Sequence, residues 1–233
     1  MAHSYKKKQV EFSNLTAYSQ GPMSNPIDFP LYLITDRTQV ATNHTLLSAI
    51  DSALQGGVKA IQLREKDLTA SELLPLARKL RDLTRHFDAH LLINDRIDVA
   101  LAVQADGVHL GEHSLPTAVV RQLIGPKLLI GVSTHSNADI SRAAEQGADF
   151  VTFGPVYATP SKAAFGAPQG LQALTEACRD SSLPVFALGG ITLPRIAEVR
   201  QAGAGGVALI SAILASDNPC AAAEVFSSYY SVE

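Results

Sequence analysis

The chain has 233 residues, 46% of them hydrophobic and 18% charged, with a formal net charge of -3. At roughly 150 residues per domain this favours one large domain with a real core, and it excludes a mainly disordered or collagen-like chain. So small a net charge supplies no general attraction to nucleic acid or an acidic membrane, so any anionic ligand must meet a local cluster of cations.

Residues 1–28 are polar, rich in Ser, Asn and Gln, and without a sustained period, which predicts a loose N-terminal arm or a short lid. Residues 29–233 are expected to form the catalytic domain. Within it, eight strand-like runs follow in order: Leu31–Thr35, Ala60–Leu63, Leu91–Asn94, Gly107–Leu110, Leu128–Val132, Phe150–Phe153, Val185–Leu188 and Gly206–Ile210. The stretches between them have helical spacing. Thr69 with Glu72 and Ser136 with Asp139 read as capping boxes that satisfy free amides of a first turn. Eightfold β/α alternation over about 200 residues, with strands apolar on both faces, predicts an α/β fold: a single (β/α)8 TIM barrel. A doubly wound open sheet is disfavoured, because the first strand runs into Thr35-Asp36-Arg37 and not into a Gly-x-Gly-x-x-Gly turn. Cys178 and Cys220 lie far apart and outside any metal-ligand spacing, and no apolar run is long enough to span a bilayer. The expectation is a cytoplasmic protein with no membrane or nucleic-acid partner.

In such barrels the binding and catalytic groups stand at the C-terminal ends of the strands. That position selects Asp36 and Arg37, then Gln62, Arg64, Glu65 and Lys66, then Asn94, Asp95 and Arg96, then His109 and Glu112. It goes on to Ser133 and His135, to Thr159, Ser161 and Lys162, to Gly189 and Gly190, and to Ser211. Arg64 and Lys66 alternate along a strand end, so both cations point the same way, and Lys162 adds a third. Three cations suit a diphosphate better than a monophosphate. Asp95 beside Asn94 suits Mg2+ shared with phosphate oxygens, or else a turn and helix cap. The glycines of 187–192 and 205–211 suit a phosphomonoester at the seventh and eighth strands, or simple turns.

Several of these segments, taken together and in order, resemble the thiamine phosphate synthase family: Gln62-Leu63-Arg64-Glu65-Lys66, Ile93-Asn94-Asp95-Arg96, Asp106-Gly107-Val108-His109-Leu110-Gly111, Gly131-Val132-Ser133-Thr134-His135, Phe153-Gly154-Pro155-Val156, Thr159-Pro160-Ser161-Lys162 and Gly189-Gly190-Ile191. The likeness runs from about Leu31 to Pro219. It implies an enzyme that joins hydroxymethylpyrimidine diphosphate to hydroxyethylthiazole phosphate, with Mg2+ assistance and loss of pyrophosphate. By matching positions, Gln62, Arg64, Lys66, Asn94, Ser133 and Lys162 would hold the pyrimidine diphosphate, and Asp95 the metal. Thr159, Ser161, Gly189, Gly190, Ile210 and Ser211 would hold the thiazole phosphate. The chemistry implied is dissociative: Arg64, Lys66 and Lys162 stabilise the leaving charge, and no protein nucleophile is required.

One stretch departs from the family. Where its members resemble Gly-Gln-Glu-Asp with a second metal aspartate, this chain reads Gly111-Glu112-His113-Ser114. Ser114 before Leu115-Pro116 reads as a helix N-cap, with Glu112 as a substitute ligand if the loop is rearranged. The gap fits the related thiazole tautomerase branch, where His135 would carry the proton in isomerising a thiazole carboxylate phosphate. It also leaves room for a non-catalytic sensor of phosphorylated ligands. Retention of Gln62, Arg64, Lys66, Asn94 and the Thr159–Lys162 loop places the synthase first. Small phosphorylated molecules are the expected partners, and a homo-oligomer is left open, since an apolar helix face looks alike against the barrel or a second subunit.

Overall fold

The computed structural model of the chain describes residues 27–159 and 167–230. Strands β1 (Leu31–Ile34), β2 (Ala60–Leu63), β3 (His90–Asn94), β4 (Gly107–Leu110), β5 (Leu129–Thr134), β6 (Phe150–Phe153), β7 (Val185–Leu188) and β8 (Gly206–Leu209) pair in chain order. All pairs are parallel, and β8 returns to β1, which closes the barrel expected from the sequence. Helices α1 (Leu46–Gln55), α2 (Ala70–His86), α3 (Ile97–Val103), α4 (Thr117–Ile124), α5 (Asn137–Glu145), α6 (Gly170–Asp180), α7 (Leu193–Gln201), α8 (Ser211–Leu214) and α9 (Pro219–Ser228) surround it. The fifth strand extends to Thr134 because its pairing with β6 continues to Thr134 opposite Phe153. Residues 1–26 of the expected arm lie outside the described residues. At its end, Asp28 pairs with His90 Nε2 at 3.1 Å and Ile27 packs on the barrel interior.

Period-two alternation sends one set of strand side chains under the helices and the other into the barrel. The inner set includes Phe29, Tyr32, Leu92, Leu129, Phe150 and Phe186. Phe150 meets Phe29, Tyr32 and Phe186 edge-on, with ring centroids 5.9, 5.4 and 5.3 Å apart, so aromatic rings plug the lower barrel. Further along the strands, on the same inward phase, come Gln62, Asn94, His109, Ser133 and Thr152. The apolar plug is therefore the floor of a polar layer.

Local signals behave unevenly. Thr69 and Glu72 form the reciprocal box, with the Thr69 amide donating to Glu72 at 2.9 Å. Ser136 accepts from the Asp139 amide at 3.2 Å, but the Asp139 carboxylate turns to the His135 amide and the Ser136 hydroxyl, so the second box is only half made.

The opposite rim is stitched by two matching clasps. Asp106 and Asp149 stand just before β4 and β6; each carboxylate accepts a backbone amide of the preceding strand, Leu91 or Ile130, at 2.7 Å. Each also takes an arginine, Arg81 of α2 at 2.5 Å or Arg121 of α4 at 2.6 Å. Arg121 further donates to the carbonyls of Gly125, Leu128 and Gly147 at 2.7 to 3.0 Å. Removing a partly buried cation leaves those acceptors and the carboxylate unmatched, so Arg121→Ala is expected to cost about 3 kcal/mol. Urea unfolding checks this, with ligand affinity unchanged.

Candidate active site

Inside the polar layer, four side chains form one hydrogen-bonded line. Gln62 Nε2 donates to the Tyr32 hydroxyl at 3.1 Å, Tyr32 meets His109 Nδ1 at 3.3 Å, and His109 Nε2 meets Ser133 Oγ at 3.0 Å. Tyr32, Gln62 and His109 are buried. Burial, with the Arg64 charge adding to it, lowers the His109 pKa to about 3, so its ring is neutral. Burial likewise raises the Tyr32 phenol. Unfolded, the imidazole titrates near 6.5; folded, near 3, so the unfolded state binds more protons between the two values. Stability from this group is full above about pH 6.5 and falls below it, by up to about 1.4 kcal/mol per unit. Urea titrations between about pH 6 and 4 are expected to show a shallower loss in His109→Gln than in the parent.

Arg64 stands two residues beyond Gln62, half-buried, with its amide held by Thr35 Oγ1 at 2.9 Å. Among the described residues its guanidinium has no carboxylate partner, although its charge reaches both His109 and Asp36. Lys66 is exposed. Arg37, by contrast, is spent: it donates to the buried Glu65 at 3.0 Å and to Asp67 at 2.7 Å. Asp36 caps the short turn that follows it. Arg37, Glu65 and Asp36 therefore build the β1 and β2 loops, and Arg64 is left to face a ligand. Thr159 is partly buried in the loop after β6; Ser161 and Lys162 lie outside the described residues.

Asp95 follows β3 with φ at +59°, a left-handed conformation uncommon outside glycine, and its amide is tied to the His109 carbonyl at 3.0 Å. Its carboxylate accepts from Asn94 Nδ2 at 2.8 Å and from the Ser114 hydroxyl. Ser114 in turn accepts the Gly111 amide at 2.6 Å. The expectation that Ser114 caps α4 is overturned: Pro116 occupies the cap, and the serine hydroxyl is turned back onto Asp95. Glu112 is exposed and makes no hydrogen bond to Asp95 or Ser114. No group of three His, Cys, Asp or Glu side chains suited to a metal occurs among the described residues. Mg2+ needs fewer, since it accepts one or two carboxylates and completes its shell with phosphate and water oxygens. The exposed Asp95 carboxylate with a hydroxyl beside it is such an all-oxygen set.

A second feature stands at β7. Gly189 and Gly190 have φ of +98° and +66°. A Cβ on Gly189 would lie 2.7 Å from Pro155 Cα, and one on Gly190 2.8 Å from Tyr157 Cβ, so both positions require glycine. Arg195 of α7 fixes the turn, donating to the Gly190 carbonyl at 2.8 Å while lying 4.3 Å over the Tyr157 ring. Tyr157 donates to Glu198 at 2.5 Å, which joins the β6 and β7 loops through α7. Ile210 is partly buried and Ser211 exposed at the end of β8. His135 is exposed; its Nδ1 donates to the Gly154 carbonyl at 2.5 Å, leaving Nε2 without a hydrogen-bond partner among the described residues.

A family model described as thiamine monophosphate synthase matches residues 31–213, from β1 through most of α8. The chain belongs to the thiamine monophosphate synthase family. Among its relatives, one from Geobacter sulfurreducens is 58% identical over 193 residues, 83% of this chain and 90% of its own. The thiamine-phosphate synthase of Roseiflexus castenholzii is 44% identical over 218 residues, 91% of this chain and 95% of its own. The solved thiamine phosphate pyrophosphorylase of Pyrococcus furiosus superposes with a TM-score of 0.78 at 36% identity, covering 86% of this chain and 94% of that one. A 3-hexulose-6-phosphate synthase, at 18% identity and a TM-score of 0.62, shares the fold alone.

For this member of the thiamine monophosphate synthase family, the barrel brings Gln62, Arg64, Asn94, Asp95, Ser133, Gly189, Gly190, Ile210 and Ser211 to the C-terminal ends of its strands. Position along the strands singles out His109 but assigns it no role. It misses Tyr32, Tyr157, Arg195 and Glu198 altogether. For Tyr32 the available signal is a hydroxyl-bearing aromatic on the inward phase of β1, two residues before Ile34. For Arg195 it is a cation in the first turn of α7, just past the double glycine.

Proposed function

We infer that the chain is a thiamine-phosphate synthase, a transferase that forms a C–N bond between hydroxymethylpyrimidine diphosphate and hydroxyethylthiazole phosphate and releases pyrophosphate. The observation that carries this is one rim with two differently built features suited to anions: Arg64, without a carboxylate partner, just past β2, with Asp95 just past the neighbouring β3, and the left-handed Gly189–Gly190 turn. The 44% identity to a thiamine-phosphate synthase over most of both chains supports the same reading.

In this reading Gln62, Asn94 and Ser133 hold the pyrimidine, while Arg64, Lys66 and Lys162 neutralise the charge that grows on the departing diphosphate. Bound Mg2+, held by Asp95 with Ser114 beside it, would supply further neutralisation of that leaving group. The amides of the Gly189–Gly190 turn, with Thr159, Ser161, Ile210 and Ser211, hold the thiazole phosphate, so its ring nitrogen faces the forming carbon centre. Catalysis is alignment and charge stabilisation, and the thiazole nitrogen is the nucleophile. His135 holds the β6 loop through Gly154 in the synthase; in a tautomerase its Nε2 would carry the proton. The free thiols Cys178 and Cys220, and the lack of any described helix long and apolar enough to cross a membrane, support a reducing cytoplasm as the place of action.

The deciding experiment supplies both purified substrates and Mg2+ and measures thiamine phosphate and pyrophosphate together. Equimolar products are expected. Isomerisation of thiazole carboxylate phosphate without thiamine phosphate would instead make the chain a tautomerase, and binding without turnover a sensor.

A further inference from the structure

The line from Gln62 to Ser133 has a direction set by the chemistry at each link. Gln62 gives an amide N–H to the Tyr32 oxygen. A phenol has one proton to give, and His109 Nδ1 is the Tyr32 hydroxyl's one remaining partner among the described residues, so Tyr32 donates there. A neutral imidazole with Nδ1 accepting carries its proton on Nε2, and that proton goes to Ser133 Oγ. Ser133 is thereby an acceptor toward the protein, and its own hydroxyl proton is left for the pocket.

The packing holds this arrangement in place. Gly131 lies directly under the imidazole: a Cβ there would be 2.5 Å from His109 Nδ1 and 2.4 Å from Phe150 Cζ. The His109 ring also sits 5.7 Å from Tyr32 and 5.9 Å from Phe150, centroid to centroid. Tyr32, Gln62 and His109 are at most 2% exposed, so bulk water does not reach the links to rearrange them. Beside Ser133 in register, Thr152 is 1% exposed and its Oγ1 has no partner among the described residues, which marks this layer as one with hydrogen-bonding capacity to spare.

We propose that Tyr32 and His109 are positioning residues that set the hydrogen-bond polarity of the ring-binding end of the site. They make Ser133 a donor and leave Gln62 its carbonyl oxygen, so the layer selects a heterocycle that offers a ring-nitrogen lone pair to Ser133 and an exocyclic N–H to Gln62. An aminopyrimidine has both groups. The polarity is a property of the protein alone; only the identity of the heterocycle rests on the synthase reading.

The test begins with 15N NMR of the imidazoles in the ligand-free protein, the His109 signal being assigned by its absence in His109→Gln. A neutral Nε2–H tautomer is expected; an Nδ1–H tautomer reverses the links on both sides of the imidazole, to Tyr32 and to Ser133, and overturns the proposal. Kinetics follow. Tyr32→Phe is expected to raise KM for the pyrimidine diphosphate roughly tenfold, with kcat and the thiazole phosphate KM within about twofold of the parent. His109→Gln, which keeps an N–H toward Ser133, should stay within about threefold of the parent, whereas His109→Leu should lose as much as Tyr32→Phe. Equal behaviour of the Gln and Leu variants would overturn the proposal even if Tyr32→Phe fails to fold. If the protein forms no thiamine phosphate, the synthase reading fails while the tautomer measurement still decides the polarity.

Discussion

Replacing Asp95 by Asn is expected to lower Mg2+-dependent pyrophosphate release about a thousandfold, with both substrates still bound. The amide is the same size and still accepts one hydrogen bond, so the left-handed turn at φ +59° and its link to the His109 carbonyl are kept while the charge is lost. Asn in fact tolerates that conformation better than Asp-sized alternatives without a local hydrogen bond. The readout is pyrophosphate release as Mg2+ is titrated, with isothermal calorimetry for each substrate. A variant that turns over at the parental rate would remove Asp95 from the chemistry. Ser114→Asp is the companion. It sets a second carboxylate against the one that Ser114 now bonds, a pair that repels unless a cation lies between. Tighter Mg2+ binding, by about tenfold, and lower stability in chelator are expected.

Gly190→Ala is expected to raise KM for the thiazole phosphate about a hundredfold while leaving pyrimidine diphosphate affinity within about twofold. At φ +66° an alanine is strained, and its Cβ would stand 2.8 Å from Tyr157 Cβ and 3.0 Å from the Ala158 carbonyl, atoms of the loop that leads into 160–166. Because Arg195 grips the Gly190 carbonyl and stacks on Tyr157, the collision is passed to α7 and not absorbed locally. Steady-state kinetics with each substrate varied in turn separates the two affinities. Equal losses for both would mean that the turn supports the barrel mouth in general and does not serve one phosphate.

The periodic features were readable from sequence because they are local. Eight runs of β-branched and apolar residues, separated by amphipathic stretches, are enough to name the barrel. The rule that chemistry stands at strand ends then selects Gln62, Arg64, Asn94, Asp95 and Ser133, and the fold sets them on that rim. What escaped is what depends on contacts across the chain. Arg37 resembles a ligand cation until Glu65 and Asp67, about thirty residues away, are seen to consume it. Ser114 has the local look of a helix cap, and only the approach of β3 to the β4 loop shows its hydroxyl engaged with Asp95. Tyr32 reads as core by its phase in β1; that its hydroxyl belongs to the site follows from Gln62 and His109 on other strands.

The paired clasps of Asp106 with Arg81 and Asp149 with Arg121 bear on how such a protein changes over generations. They fasten neighbouring strands at the end remote from the ligands, so a loop at the mouth can be rewritten without unzipping the staves. An exchange such as aspartate for serine at position 114 is then a trial of chemistry more than of folding, and a barrel fastened in this way can sample new reactions at modest risk to its own persistence.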